Sequence, residues 1–175
     1  MLTFNMSYFL GLFPRLSTAL PFTMEVIAAS ILLCLCTGTL VAVIRIAKVP
    51  FLHQLCEVWL SYNRSMPFIL DLYVVYFVLP VIVRAFHISP DGWPLTTYVL
   101  IALGFHYTPV ISEIIRPAYL SVDRGQHEAA MVFGLSPFHR VVHIIAPQAL
   151  PVALPSLVSE AINILKDTSV MYFIG

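Results

Sequence analysis

Charged side chains are scarce in this sequence. Nine Lys and Arg residues and nine Asp and Glu residues make up only 10% of its 175 residues, whereas hydrophobic residues make up 59%. A typical soluble domain has roughly 25% charged residues, so this chain carries too few polar groups to cover a surface in water. The composition excludes a water-soluble globular domain, and the zero net charge argues against a nucleic-acid partner. The expected class is an all-α, polytopic membrane protein.

Cysteines and enzyme motifs are also scarce. Cys34 and Cys36 stand two residues apart and would point to different sides of a helix. No histidine lies at metal-ligand spacing from them, so we expect neither a disulfide nor a metal site. The sequence has no Gly-x-x-x-x-Gly-Lys-Ser/Thr loop for ATP and no nucleophile–base constellation. We therefore expect a chain that is not an enzyme and that holds no cofactor of its own.

Long apolar runs are what the sequence has in abundance. A bilayer crossing takes about 20 residues of helix, and four stretches are long and apolar enough. Thirteen prolines exclude a set of simple uninterrupted helices. Three of them, Pro147, Pro151 and Pro155, recur in the fourth stretch and predict either a deformable gate helix or a static packing kink. The four stretches cover residues 23–44, 64–84, 95–115 and about 147–165.

The distribution of basic residues predicts the orientation of these spans, because cytoplasmic loops carry the excess of Lys and Arg. An outside N-terminus puts six of the nine basic residues in the cytoplasm: Arg45, Lys48, Arg64, Arg116, Arg124 and Arg140. Residues 1–22 are apolar and have no charge before Arg15, so they do not resemble a cleaved signal peptide. We expect an interfacial N-terminal segment there, broken by Pro14 and Pro21.

The end of the sequence is apolar and has no polar tail. Residues 170–175 look like the beginning of a fifth span that is missing from this sequence. The alternative is a tail that lies along the membrane interface.

The connection over residues 116–146 is the longest and the most patterned. Residues 126–133 favour a helix, and Gly134 stands where a helix ends on a left-handed residue. Ser136–Pro137 is typical of an N-cap followed by proline at the first helical position, so a second helix is predicted over residues 138–145. This helix–glycine–helix knob is suited to insertion into another protein. The alternative is an amphipathic loop on the lipid headgroups.

The same connection carries a gapped signature. Glu128-Ala129-Ala130, then Gly134 after three residues, then Ile144 after nine, then Pro147 match the EAA signature of permease subunits of bacterial ABC importers. Ala146 occupies the place of the usual Leu. From Thr23 to Gly175 the chain resembles the branch that imports polar amino acids. Further matching segments are Glu113, Arg116, Gly125-Gln126, Pro147-Gln148-Ala149-Leu150 and Lys166-Asp167-Thr168-Ser169.

The resemblance implies a multi-pass permease subunit in the bacterial inner membrane. Residues 23–175 would form an ABC importer transmembrane domain, incomplete at its C-terminus because this branch has five spans. A separate ATPase subunit would bind the ATP and dock on the cytoplasmic loop. A second permease subunit, identical or paralogous, and an external solute-binding protein would complete the importer. The residues expected to couple to the ATPase are Gly125, Glu128, Ala129, Ala130, Gly134, Ile144 and Pro147; for Glu128 the alternative is helix capping only.

Ionisable residues inside a membrane are energetically costly and are candidates for function. Glu160 and Asp167 stand two turns apart, on one face if the helix extends that far, and both could meet the amino group of an amino acid. The alternatives are a polar contact between spans for Glu160 and an interfacial pair with Lys166 for Asp167. We expect Asp71 to be structural and His106 to be a hydrogen-bonded core residue. The candidates for the substrate pathway are Glu160, Asn163, Asp167 and Thr168.

Two other functions stay open at this point. An ion-coupled secondary transporter would use Asp71, Glu160 and Asp167 and would need no docking loop, so the helix–glycine–helix knob favours the importer subunit over it. An interrupted or partial copy of a permease would have no transport activity.

Overall fold

The computed structural model describes residues 6–174, without the side chain of Arg15. Within these residues the chain is almost entirely helical and forms no strand. A π-helical segment over Val141–Ile145 joins the sixth and seventh helices, and a 3₁₀ segment over Thr168–Phe173 follows the seventh. The helices are α1 (Met6–Ile46), α2 (Leu52–Ser65), α3 (Phe68–Ala85), α4 (Leu95–Leu120), α5 (Arg124–Val132), α6 (Pro137–Arg140) and α7 (Ala146–Asp167).

Four segments of the described chain are long and apolar enough to cross a membrane. They are Leu16–Ile46 within α1, Phe68–Ala85, Leu95–Leu120, and the stretch Pro137–Phe173 that contains α7. The predicted all-α class and the four spans are therefore confirmed. Each apolar run forms a helix because a helix satisfies its own backbone N–H and C=O groups, which lipid cannot do.

The prolines of the N-terminal segment do not break it. Helix α1 runs without interruption through Pro14 and Pro21, so the predicted breaks are wrong. Each proline removes a single N–H donor, and both prolines are exposed, where their rings meet no neighbouring helix. In an apolar segment a continuous helix leaves fewer unpaired backbone groups than an irregular break would.

Helix α2 is an element that the sequence reasoning missed. Its polar residues lower its hydropathy far below that of the spans, so hydropathy alone treats it as a connection. The signal that could have found it is the helical spacing of its apolar residues, since Cys56 and Leu60 are buried four residues apart.

Helix α4 forms the centre of the bundle. Its buried residues recur at helical spacing and pack against α1, α3 and α7. Paired contacts along α4 show that α1 runs parallel to it: Cys34 meets Leu103, and Gly38 meets Ile111. The buried cluster comprises Cys34, Phe68, Leu72, Val75, Tyr98, Val99, Ala102, Leu103, Tyr107, Ile111 and Ile164.

The second helix of the long connection does not stop before Pro147 as predicted. Helix α6 passes through the π-helical segment directly into α7, and Pro147 lies in the first turn of α7. A π turn pairs carbonyls with N–H groups five residues on, and this wider turn accommodates the missing donor of Pro147 without ending the helix. Helix α7 also continues through Pro151 and Pro155.

The crossing of α1 and α4 depends on the absence of a side chain at Gly38. A Cβ there would lie 2.6 Å from Cβ of Ile111 and 3.1 Å from the carbonyl oxygen of Thr108. We predict that Gly38→Ala lowers the free energy of unfolding by about 1–3 kcal/mol, the usual effect of overpacking. Unfolding of the purified protein in detergent measures this loss. Gly11→Ala is the matched control, since nothing lies within 4 Å of its Cβ; equal stability of the two variants would contradict the close crossing.

Candidate functional site

The long connection begins with a capped helix. Asp123 is the N-cap of α5, and its carboxylate oxygen Oδ1 accepts a hydrogen bond from the backbone N–H of Gly125 at 2.7 Å. The sequence reasoning missed this cap, and α5 consequently starts at Arg124, earlier than predicted. Glu128 lies exposed in the body of α5, beyond the first turn where a capping carboxylate would be placed. The Glu128 side chain therefore does not cap the helix, and it points to the surface.

Gly134 ends α5 in the left-handed conformation that the sequence predicts, with φ of 73°. The backbone N–H of Gly134 bonds to the carbonyl of Met131 at 2.9 Å, and that of Leu135 bonds to the carbonyl of Ala130 at 3.0 Å. These bonds close the helix end in the way that glycine favours. Residues with a Cβ rarely adopt this φ, so Gly134 fixes the angle between the two helices of the connection.

Ser136 caps the next helix, as predicted. Its hydroxyl oxygen accepts from the backbone N–H of His139, and Pro137 occupies the first turn, where no N–H is needed. Ser136 Oγ also lies 2.8 Å from Nδ1 of His139. The turn between α5 and α6 is thus held from both sides by local bonds.

Around this turn the chain exposes large apolar side chains. Val132 is 85% exposed, Phe133 84% and Phe138 71%. Ala130 is only 1% exposed because it faces its own chain, so the outward-facing small residue is Ala129. Of the other coupling candidates, Gly125 and Pro147 are exposed and Ile144 is half-buried. Exposed apolar side chains at the tip of a rigid turn are typical of a surface that meets another protein or the membrane.

The pathway candidates lie at the far end of α7. Because α7 extends to Asp167, Glu160 and Asp167 do share one face of a helix. Glu160 accepts a hydrogen bond from Nδ2 of Asn163 at 3.1 Å, and the hydroxyl of Thr168 donates to the carbonyl of Leu165 at 2.7 Å. Glu160 and Asn163 therefore form one polar unit, whereas the Thr168 hydroxyl is turned towards its own backbone.

Asp167 has a partner that the sequence reasoning missed. The hydroxyl of Tyr107 on α4 donates to Oδ2 of Asp167 at 2.7 Å. Among residues 6–174, Lys166 forms no ion pair with Asp167. No local sequence signal could have found Tyr107, because the two residues are 60 positions apart.

A second polar cluster joins α2, α3 and α4. Asp71 is fully buried; its Oδ1 accepts from the hydroxyl of Tyr62 at 2.9 Å, and its Oδ2 lies 2.7 Å from Nδ1 of His106. Nδ2 of Asn63 donates to the backbone carbonyl of His106 at 2.8 Å. The structure therefore places Asp71 in a buried and His106 in a half-buried position, both with hydrogen-bond partners. These positions fit the structural role expected for Asp71 and the hydrogen-bonded core residue expected at His106.

Two ion pairs hold α2 at the end of the bundle where α1 and α4 finish. Nε of Arg45 donates to Oε1 of Glu57 at 2.9 Å, and Nη1 of Arg45 donates to the hydroxyl of Ser112 at 3.1 Å. Arg64 pairs with Glu113 in the same region. Burial alone would raise the pKa of the Glu57 carboxyl, but the hydrogen bond and charge of Arg45 outweigh it and hold this pKa below its ordinary value.

No group of three or more metal-ligating side chains comes together in the described part of the chain. The arrangement is that of a helical bundle with polar residues paired across its interior and one rigid, apolar-tipped turn outside it. These features define a multi-pass membrane protein.

Comparison with known proteins identifies the family. Residues 34–175 match the family described as binding-protein-dependent transport system inner membrane component. The chain belongs to this family, and it is a multi-pass protein of the inner membrane.

Similar curated proteins are named as permeases. The chain is 32% identical to the probable amino-acid permease protein YxeN of Bacillus subtilis, covering 99% of this chain and 75% of that protein. It is 33% identical to the probable amino-acid ABC transporter permease protein PatM of Vibrio harveyi, covering 98% and 75%. It is 31% identical to the L-cystine transport system permease protein TcyL of Bacillus subtilis, covering 98% and 72%.

A solved structure has the same fold. A crystal structure of an amino acid ABC transporter with histidines superposes with a TM-score of 0.80 at 24% identity, covering 99% of this chain and 78% of that chain. The helical arrangement described above is therefore one already seen in a transporter.

The two ion pairs of α2 differ in burial, which predicts a difference in stability. The side chain of Arg45 is 6% exposed and that of Arg64 is 66% exposed. Glu57→Ala leaves a buried guanidinium without its anion, and we predict a loss of about 1.5–3 kcal/mol in the free energy of unfolding. Glu113→Ala is the control and loses less stability, because its partner Arg64 stays solvated. Unfolding in mixed micelles measures both, and a larger loss for the Glu113 variant would contradict the assignment.

Proposed function

We propose that this chain is the permease subunit of an ABC importer that carries a polar amino acid across the inner membrane. A separate ATPase subunit would hydrolyse ATP and dock on the loop over residues 116–146. The observation that carries the proposal is the turn at Gly134, which holds exposed aromatic side chains at the tip of two short helices. The family membership and the names of the amino-acid permeases above support the same function.

The shape of the loop supports docking into a groove of another protein. Phe133 and Phe138 would bury their exposed rings against a partner, and burial of apolar area is the main favourable term in association. Ala129 beside them leaves room for a close approach. Glu128 presents a carboxylate on the same helix, which suits a basic residue of the partner.

The topology supports an outside N-terminus and a cytoplasmic loop. Because α1 and α4 run parallel, both finish at one end of the bundle, where α5 begins. Of the nine basic residues, Arg45, Arg116 and Arg124 lie at this end or at the start of the loop. The excess of basic residues favours the cytoplasm for this end.

The pathway candidates suit a substrate with an amino group. Glu160, Asn163 and Asp167 offer carboxylate and amide oxygens on one face of α7, and Thr168 lies at its end. A second permease subunit would supply the facing wall of the pathway. A solute-binding protein outside would deliver the amino acid, which fits the family's dependence on binding proteins.

A substitution at Gly134 tests whether the loop docks on the ATPase subunit. We predict that Gly134→Val lowers copurification of the ATPase subunit and ATP-driven uptake, because valine destabilises the left-handed turn that orients both helices. Gly92→Val is the matched control, since Gly92 also has a positive φ, of 90°, with no atom within 4 Å of its Cβ, but lies between α3 and α4 at the other end of the bundle. Normal copurification and uptake with Gly134→Val would contradict the docking proposal.

Substitutions at Glu160 and Asp167 test whether these residues line the substrate pathway. We predict that Glu160→Gln and Asp167→Asn each reduce amino-acid uptake about tenfold or more, the loss expected when a hydrogen bond to a charged group is removed. Assembly with the ATPase should be unchanged, which copurification checks. Glu25→Gln, on the exposed face of α1, is the control. Uptake kinetics equal to those of the parent protein in both variants would contradict the site.

A further inference from the structure

The cluster around Asp71 uses both oxygens of a fully buried carboxylate. Oδ1 accepts from Tyr62 and Oδ2 faces Nδ1 of His106, at 2.9 Å and 2.7 Å. A proton on Nδ1 of His106 lets the ring donate to this oxygen, and Nδ2 of Asn63 lies 3.3 Å from the same ring nitrogen. The contact with Asp71 thereby fixes the orientation of the His106 ring.

The backbone of His106 is held as well. Nδ2 of Asn63 donates to its carbonyl oxygen at 2.8 Å, and Asn63 is 7% exposed. His106 is thus restrained by α3 through its ring and by α2 through its backbone. Such a doubly held residue in the middle of α4 fixes the rotation of that helix about its own axis.

Tyr107 is the next residue of α4, and its ring packs on the restrained histidine. The ring centroids of His106 and Tyr107 lie 5.1 Å apart at 75°, and Phe68 contacts both rings at 5.6 Å and 6.4 Å. The contacts of the His106 ring with Phe68 and with Tyr107 are edge-to-face, which favours one orientation of each ring. The Tyr107 side chain, 4% exposed, is held so that its hydroxyl reaches Asp167.

We propose that Asp71 and His106 are positioning residues for the substrate site at Asp167, acting through Tyr107. This rests on the proposed function of the pathway. The Tyr107 hydroxyl occupies Oδ2 of Asp167 and leaves Oδ1 to accept from the amino group of the substrate. Fixing the carboxylate before the substrate arrives removes the entropy that would otherwise be lost on binding. The cluster therefore sets substrate affinity without touching the substrate.

The test is a double-mutant cycle on uptake kinetics. His106→Phe keeps a ring against Phe68 and Tyr107 but cannot donate to Asp71, and it should raise KM about fivefold to tenfold. Tyr107→Phe should raise KM by a similar factor. The double variant should be no worse than Tyr107→Phe alone, because residues that act through one another are not additive.

Val99→Ala controls for a general loss of packing, since Val99 is fully buried on α4 two turns before His106 and has no polar group that could bond to Asp71 or Asp167. It should lower stability and leave KM unchanged. Parental KM in Tyr107→Phe, or additive effects in the double variant, would overturn the proposal. Tyr107→Phe leaves Asp71 and His106 paired, so it remains informative if His106→Phe folds poorly.

Asp167→Asn separates this proposal from the one on which it rests. If Asp167→Asn lowers uptake while Tyr107→Phe and His106→Phe do not, the positioning role is wrong and the pathway stands. If Asp167→Asn leaves uptake unchanged, the pathway proposal itself is wrong.

Discussion

The structure depends on one constraint: a polar group in the hydrocarbon of a membrane must find its partner inside the protein. Helix α4 meets this constraint for the whole bundle. His106 pairs with Asp71 of α3, and Tyr107 bonds to Asp167 of α7. The hydroxyl oxygens of Thr108 and of Thr37 on α1 lie 2.6 Å apart. Each neighbouring span is therefore fixed in register to α4 by a polar contact as well as by apolar packing.

A continuous helix, which the same constraint favours, connects the proposed docking loop to the proposed substrate pathway. From Pro137 to Asp167 the chain is one continuous helical rod, α6 through α7, with a π-helical segment near the loop. One end of this rod carries the apolar-tipped turn, and the other carries Asp167. On the proposed function, movement of a docked ATPase would reach the pathway along this rod. The prolines of α7 leave several carbonyls without a helical donor, so bending would break fewer bonds there.

Hydropathy and local turn chemistry were enough to predict the four spans, the left-handed Gly134 and the cap at Ser136, because each depends on neighbouring residues. Helix α2 escaped prediction because its polar residues mask its amphipathic spacing. The breaks predicted at Pro14 and Pro21 failed because an apolar environment favours a continuous helix over unpaired backbone. The partners of Asp167 and Asp71 lie on other helices, and only the packing of the bundle brings them together. The roles of the loop and pathway residues remain predictions.

The central claim is that this chain forms the pathway of an importer driven by ATP. Its most direct test is uptake of a radiolabelled amino acid by proteoliposomes that contain the transporter purified from cells expressing this chain, with an ionophore added to collapse ion gradients. The account predicts uptake that requires ATP and the solute-binding protein and that survives the ionophore. Uptake that follows an ion gradient, without ATP or an ATPase subunit, would contradict it.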